Sequence, residues 1–147
     1  MDIKIKKFDE LSVSELYEVL KIRCEVFILE QNCVYLDIDG SDRDSYHFIG
    51  FEKEKICAYL RVPLKGVVYN KTSIGRVLVG QEFRGRGYAK KIINNAIDFI
   101  TGELGEGEIE ISAQLYLKKF YESLGFKVSS DSYLEDGIEH IHMNFSK

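Results

Sequence analysis

The stretch VLVGQEFRGRGYAKKIINNAIDFI, residues 77–100, runs from β-favouring apolar residues through glycines interleaved with arginines and straight into a helical pattern. Ala89, Ile92, Ile93, Ala96, Ile97 and Ile100 recur at the spacing of one buried helix face, and Gly102 stands where such a helix would stop. A strand that feeds a helix through RGRGYA leaves backbone N–H groups free at the helix start, where the macrodipole also favours negative charge. Arg84 and Arg86 can add charge-assisted bonds, and Gly85 and Gly87 let the backbone approach a bulky ligand. The turn reads as an anion seat suited to a diphosphate; the competing reading is a solvated turn bent by glycine. A P-loop is excluded because no lysine–serine or lysine–threonine pair follows, and a dinucleotide fingerprint because Lys90 stands where its third glycine belongs.

Upstream, IGRVLV (74–79) is the feeding strand, and YHFIGF (46–51) and ICAYLRV (56–62) flank the charged EKEK as a hairpin. Ile3, Ile5 and Phe8 carry a first strand. Ser12 and Glu15 form a capping box that starts a helix with its apolar face running to about residue 28. Gly40 and the acids around it mark a loop. Downstream, IEIS (109–112) is a strand, Leu115, Leu117, Phe120, Tyr121 and Leu124 form a compact helix stopped by Gly125, and Asp136-Gly137 marks a second hairpin. The order is a helix, mainly antiparallel strands, then strand–helix–strand–helix–strand. No linker divides it, so residues 1–147 read as a single domain.

The chain is 45% hydrophobic with a single proline, Pro63, and its net charge of −4 argues against a nucleic-acid binder. Cys24, Cys33 and Cys57 are odd in number and lack C-x-x-C spacing, which fits a reducing cytoplasm. MDIKIKKFDE has no apolar core of signal-peptide type, and no run of about 18 apolar residues predicts a membrane span.

The pattern [QR]-x-x-G-x-[GA], met by Arg84, Gly87 and Ala89, resembles the GNAT superfamily of N-acetyltransferases, as does FYESLGF at 120–126. RCEVFILEQNCVYLDIDGSD (23–42), AQLYLKKFYESLGF (113–126) and EDGIEHIHM (135–143) are similar to the ElaA-type branch. The resemblance implies an α+β fold: a central mixed, mostly antiparallel twisted sheet flanked by helices, its central strands splayed into a cleft for acetyl-CoA. Arg84, Gly85, Arg86, Gly87, Tyr88 and Ala89 would hold the diphosphate. Val77, Leu78 and Val79 would pair with the pantetheine, with the Leu78 or Val79 amide at the thioester carbonyl. Gln114 stands where the family often has asparagine. Tyr121 occupies the family's tyrosine position and is expected to protonate the leaving thiolate, a core aromatic being the alternative. Glu30, at the end of the first helix, is the expected base, with a surface or capping role as its alternative.

Asp37, Asp39, Asp42 and Asp44 crowd one loop, either to attract a cationic amine or to make soluble turns. An EF-hand does not fit them. His140 and His142 share one strand face, but with His47 the only other histidine an acceptor-pocket or strand-face role is favoured over zinc. Cys33 is a weaker candidate as an acyl-cysteine nucleophile. The expectation is acetyl transfer to the primary amine of a small molecule or peptide, without metal, by a cytoplasmic monomer or homodimer. A non-catalytic acyl-CoA-binding module is the alternative.

Overall fold

The computed structural model describes residues 1–147. The chain opens with β1 (Asp2–Lys7), and Phe8 already lies in a 3-10 turn beyond it. Helix α1 (Val13–Arg23) begins on the expected box: the Glu15 amide donates to Ser12 Oγ at 3.0 Å and the Ser12 amide donates to Glu15 Oε1 at 2.9 Å. Its last turn, Cys24–Glu30, widens to a π turn, with the Gln31 and Cys33 amides reaching back to the Val26 and Ile28 carbonyls.

Strands β2 (Ser45–Glu52) and β3 (Lys55–Pro63) reverse through Lys53 and Glu54, which sit at φ 50° and 68°. Strands β4 (Thr72–Ser73) and β5 (Gly75–Val79) precede α2 (Tyr88–Asp98). Then come β6 (Glu108–Gln114), α3 (Lys118–Ser123), β7 (Phe126–Val128), β8 (Tyr133–Glu135) and β9 (Ile138–Ser146). The Asp136-Gly137 turn between β8 and β9 is the expected hairpin, whereas the short β7 was not signalled.

Two sheets result. One runs β1-β2-β3-β5, all antiparallel; the other runs β4-β6-β9-β7 with β8 also on β9, and only its β4–β6 pair is parallel. The strand read as IGRVLV is β5 of the first sheet from Gly75 onward, while Thr72 and Ser73 just upstream form β4 of the second sheet, with Ile74 between them. Arg76 at φ 50° and a register shift opposite Tyr59 to Arg61 bend the segment at this point. From Gly75 onward the edge of β5 that faces β6 has no strand partner.

Helix α2 buries Ile92, Ile93, Ala96 and Ile97 against Phe48, Leu60, Ile109 and Met143, so one core serves both sheets. Helix α1 covers the other face of the first sheet with Val19, Val26 and Phe27 on Ile49, Tyr59 and Leu78. Strand β3 is thus apolar on both faces, which is why its sequence reads as a continuous run. No helix is long and apolar enough to cross a membrane.

Three acids of the 37–44 loop, Asp37, Asp39 and Asp42, are held by arginines. Arg23, with 0% exposure, donates to Asp37 Oδ2 at 2.9 Å and to Asp42 Oδ1 at 2.7 Å. Arg61 donates to Asp39 at 2.6 and 2.8 Å and to Asp42 at 2.9 Å, and Arg76 donates to Asp37 at 2.8 Å. Arginine and aspartate balance, so Asp37, Asp39 and Asp42 bind the loop to the sheet rather than a cationic substrate. Removing one partner from such a buried network typically costs about 3–5 kcal/mol, because it strands the other charge.

Candidate active site

The parting of the sheets leaves a cleft of about 1000 Å³ between β5 and β6. Its first wall is the free edge of β5. The Gly80 amide donates to the Cys57 carbonyl at 2.9 Å, and Leu78 lies opposite Tyr59. Alternation along an antiparallel strand then turns the Leu78 N–H toward β3 and the Val77 and Val79 N–H groups into the cleft. Arg84 Nε donates to the Val79 carbonyl at 3.0 Å, which confirms that Val79 presents its peptide groups on that side. Of the two amides expected at a thioester carbonyl, that of Val79 faces the cleft and that of Leu78 faces β3, and the Leu78 side chain fills the core under α1.

The cleft ends at the start of α2. Gly85 and Gly87 adopt φ 79° and 76°, and a Cβ at either would meet nothing within 4 Å. Glycine is needed there for backbone shape and for open space in front of the turn, not for packing. The first bond of the helix runs from the Lys91 amide to the Gly87 carbonyl at 3.1 Å, leaving the Tyr88, Ala89 and Lys90 amides without helical partners. Both arginines of the turn have carboxylate partners: Arg84 pairs with Glu30 at 2.8 Å, and Arg86 with Glu52 at 2.9 Å while lying over the Phe83 ring. The Tyr88 hydroxyl also donates to Glu52, and this bond, with Arg86, holds the Glu52 carboxyl below the usual carboxylate range.

Tyr121 reaches the same cleft from α3. Only 7% exposed, its ring stands edge-on to Phe120 at 5.3 Å and to Phe126 at 5.7 Å, and its hydroxyl has no hydrogen-bond partner in the protein. Burial, reinforced by Tyr116, pushes its phenol up to about 12, so it stays protonated and able to donate. Gln114, at the end of β6, donates weakly to Gln31 Oε1 at 3.4 Å. The two candidates for catalysis are thus separated in role: Tyr121 is unengaged, and Glu30 is tied to Arg84.

Beyond Gln114 the cleft continues into a polar and aromatic end. His140, paired across the ladder with Gln114, donates from Nδ1 to the Ile138 carbonyl at 2.7 Å and places Nε2 3.4 Å from Glu135. Tyr133 stacks on both His140 and His142, and its hydroxyl bonds to Ser112. Tyr69 packs edge-on to His142, whose Nδ1 lies 3.5 Å from Glu110. No group of three or more His, Cys, Asp or Glu stands close enough to hold a metal ion. The Cys33 thiol, weighed as a nucleophile, donates to the Asp136 carbonyl at 3.2 Å and ties the loop after α1 to the β8–β9 turn.

Sequence reading passed over Glu135, Tyr133, Ser112 and Tyr69. For Glu135 and Tyr133 a signal was present: a two-residue Asp-Gly turn sets Glu135 opposite Ile138 and Tyr133 opposite His140. A second hollow of about 1050 Å³, between α1 and the β2–β3 hairpin, is rimmed by glutamates, and the α1 start beside it is already closed by the Ser12–Glu15 box.

Compared with known proteins, residues 14–147 match the model of the acetyltransferase (GNAT) domain. Protein ElaA of Escherichia coli strain K12 is 38% identical over 136 residues, 91% of this chain and 89% of that protein. The crystal structure of Escherichia coli ElaA superposes with a TM-score of 0.90 at 35% identity, over 99% of this chain and 100% of that one. That of an acyl-CoA N-acyltransferase from Pseudomonas aeruginosa gives a TM-score of 0.92 at 31% identity, again over 99% and 100%.

Proposed function

This chain belongs to the GNAT acetyltransferase family, and on that premise we propose that it moves an acetyl group from acetyl-CoA directly to a primary amine. The observation that carries the reading is the unpaired β5 edge leading into a helix start with free amides. An extended arm of alternating amides fits the first, and a diphosphate fits the second. Arg84 to Ala89 receive the diphosphate. Val77 and Val79 pair with the pantetheine, the Val79 N–H lies at the thioester carbonyl where negative charge develops, and Gln114 closes over the arm from β6.

Tyr121 supplies the proton to the departing thiolate. Kept protonated by burial, the phenol hydrogen-bonds the sulfur as charge develops on it, and the proton it passes on is replaced by one from the attacking amine. Glu30 enters the reading as the carboxylate that holds Arg84 at the cleft wall until a diphosphate competes for it. The acceptor is a small amine or an exposed amine of a peptide, and the three free cysteines support action in the cytoplasm, as a monomer or homodimer.

Isothermal titration with acetyl-CoA and CoA, on the wild type and on Arg84→Ala/Arg86→Ala, tests the cofactor half. Charge-assisted bonds contribute about 1.5–3 kcal/mol each, so the double variant should bind at least about tenfold more weakly than a micromolar wild type. Absence of wild-type binding would remove both acetyl transfer and a non-catalytic acyl-CoA-binding role. Binding without thiol release across a broad panel of amines would leave only the latter.

A further inference from the structure

An amine acceptor reaches the cleft as an ammonium and must lose a proton before its nitrogen can attack. Of the cleft-lining groups able to take one, Glu30 is paired with Arg84, and Asp39 is held by Arg61 and Arg76 well below the usual carboxylate range. Asp136 is exposed at the tip of a hairpin. His140 and Glu135 remain.

Resting on the acetyl-transfer reading above, the geometry points to His140 as the proton acceptor of the reaction, with Glu135 holding the incoming alkyl ammonium against the Tyr69 side of the pocket. The tautomer follows from the bonds: a carbonyl has no proton to give, so the 2.7 Å contact with Ile138 puts hydrogen on Nδ1 and, in the neutral ring, leaves the Nε2 lone pair toward Glu135 and the cleft. The placement follows from the ladder. His140 is the lateral partner of Gln114 on β6, with the two Cβ atoms about 4.5–5.5 Å apart, so it stands one strand behind the wall that faces β5. The titratable groups around His140 are Glu135 and Tyr133 from β8, His142 beside it on β9, Glu110 from β6 behind His142, and Tyr69 from the connection before β4.

The step balances. R–NH3+ gives one proton to Nε2, and the freed nitrogen pair forms the C–N bond as the C–S bond breaks toward sulfur. Sulfur takes the Tyr121 proton, and the second amine proton returns to the tyrosine oxygen. Products are the N-acetyl amine, CoA thiol and one proton, which His140 releases to solvent.

The test uses n-butylamine as acceptor, following thiol release from acetyl-CoA between pH 6 and 10.5, with acetyl-CoA affinity measured in parallel. For His140→Gln, kcat/KM for n-butylamine should fall about 10²-fold at pH 7 and recover toward wild type above pH 10, where the amine supplies its own free base. Acetyl-CoA affinity should not change, and added imidazole should restore activity to His140→Ala. Glu135→Gln should raise the n-butylamine KM and spare kcat. A pH profile unaltered in His140→Gln overturns the assignment, as does a wild type that binds acetyl-CoA but releases no thiol with n-butylamine. Should both His140 variants melt early, an unchanged KM in Glu135→Gln overturns it instead. A wild type that fails to bind acetyl-CoA strikes the underlying function, a separate result.

Discussion

Glu30 and Arg84 lie 54 positions apart and yet form one ion pair, so each was legible in the sequence singly and the pairing was not. Arg84 was marked by its motif and Glu30 by its place at the end of a helix. What joins them is the widened last turn of that helix, which no residue type announces. Both side chains are more than a third exposed, so the pair itself contributes little, of order 0–1 kcal/mol, and a diphosphate should displace Glu30 from Arg84. Glu30→Gln is accordingly expected to tighten acetyl-CoA binding by up to about fivefold while leaving the pH profile of kcat/KM in place. A profile that loses its acidic limb would return proton acceptance to Glu30. Tyr121, by contrast, was legible in position, since its motif sets it on α3 and the structure places it at the cleft beside Phe120.

Elements were legible wherever residue chemistry alone decides them. The Ser12–Glu15 box, the periodic α2 and the Asp136-Gly137 turn each carry their cause in side chains that cap, pack or accept a positive φ. The short β4 was not, because nothing in Thr72 and Ser73 distinguishes a strand of the second sheet from the approach to β5, and only the divergence of the two sheets defines it. The β2–β3 turn is a case between. Its charged residues signal a reversal, yet Lys53 and Glu54 occupy φ 50° and 68°, which neither residue favours. Replacing them by Asn-Gly should stabilise the fold by about 1 kcal/mol and raise the melting temperature by about 2–5 °C. An unchanged or lower melting temperature would show that the turn is held by its flanking strands without strain.

At the scale of the molecule, buried titratable groups set the pH range of stability. His47 donates from Nε2 to the Asp42 carbonyl and accepts the Tyr59 hydroxyl at Nδ1, and burial holds its pKa below the ordinary value and keeps it neutral. Its contribution is present above about pH 6.5 and declines as pH falls, because the unfolded chain takes up the proton first. Asp39 and Asp42 are depressed against opposing desolvation by their arginines, so their contribution is lost as pH falls below about 4. On the alkaline side Tyr35, Tyr69 and Tyr121 are each raised to about 12, and stability declines once unfolded tyrosine ionises above about pH 10. Thermal melting should therefore show a plateau from about pH 7 to 9.5, with a shallow acid slope that His47→Gln flattens between about pH 6.5 and 5. A slope of equal size in that variant would place the acid sensitivity elsewhere.

The open edge of β5 also bears on how copies of this chain behave in a crowd. An unsatisfied strand edge is the template on which proteins stack into aggregates, and most folds blunt it with charge, proline or a covering loop. Here the edge is recessed: the second sheet departs from the same segment at Ile74, and Arg84 caps the Val79 carbonyl at the far end. A slim, side-chain-free arm can slide in where another chain's strand, carrying its neighbours with it, is turned away. On the acetyl-transfer proposal, a bound donor takes the place of the missing strand along this recessed edge.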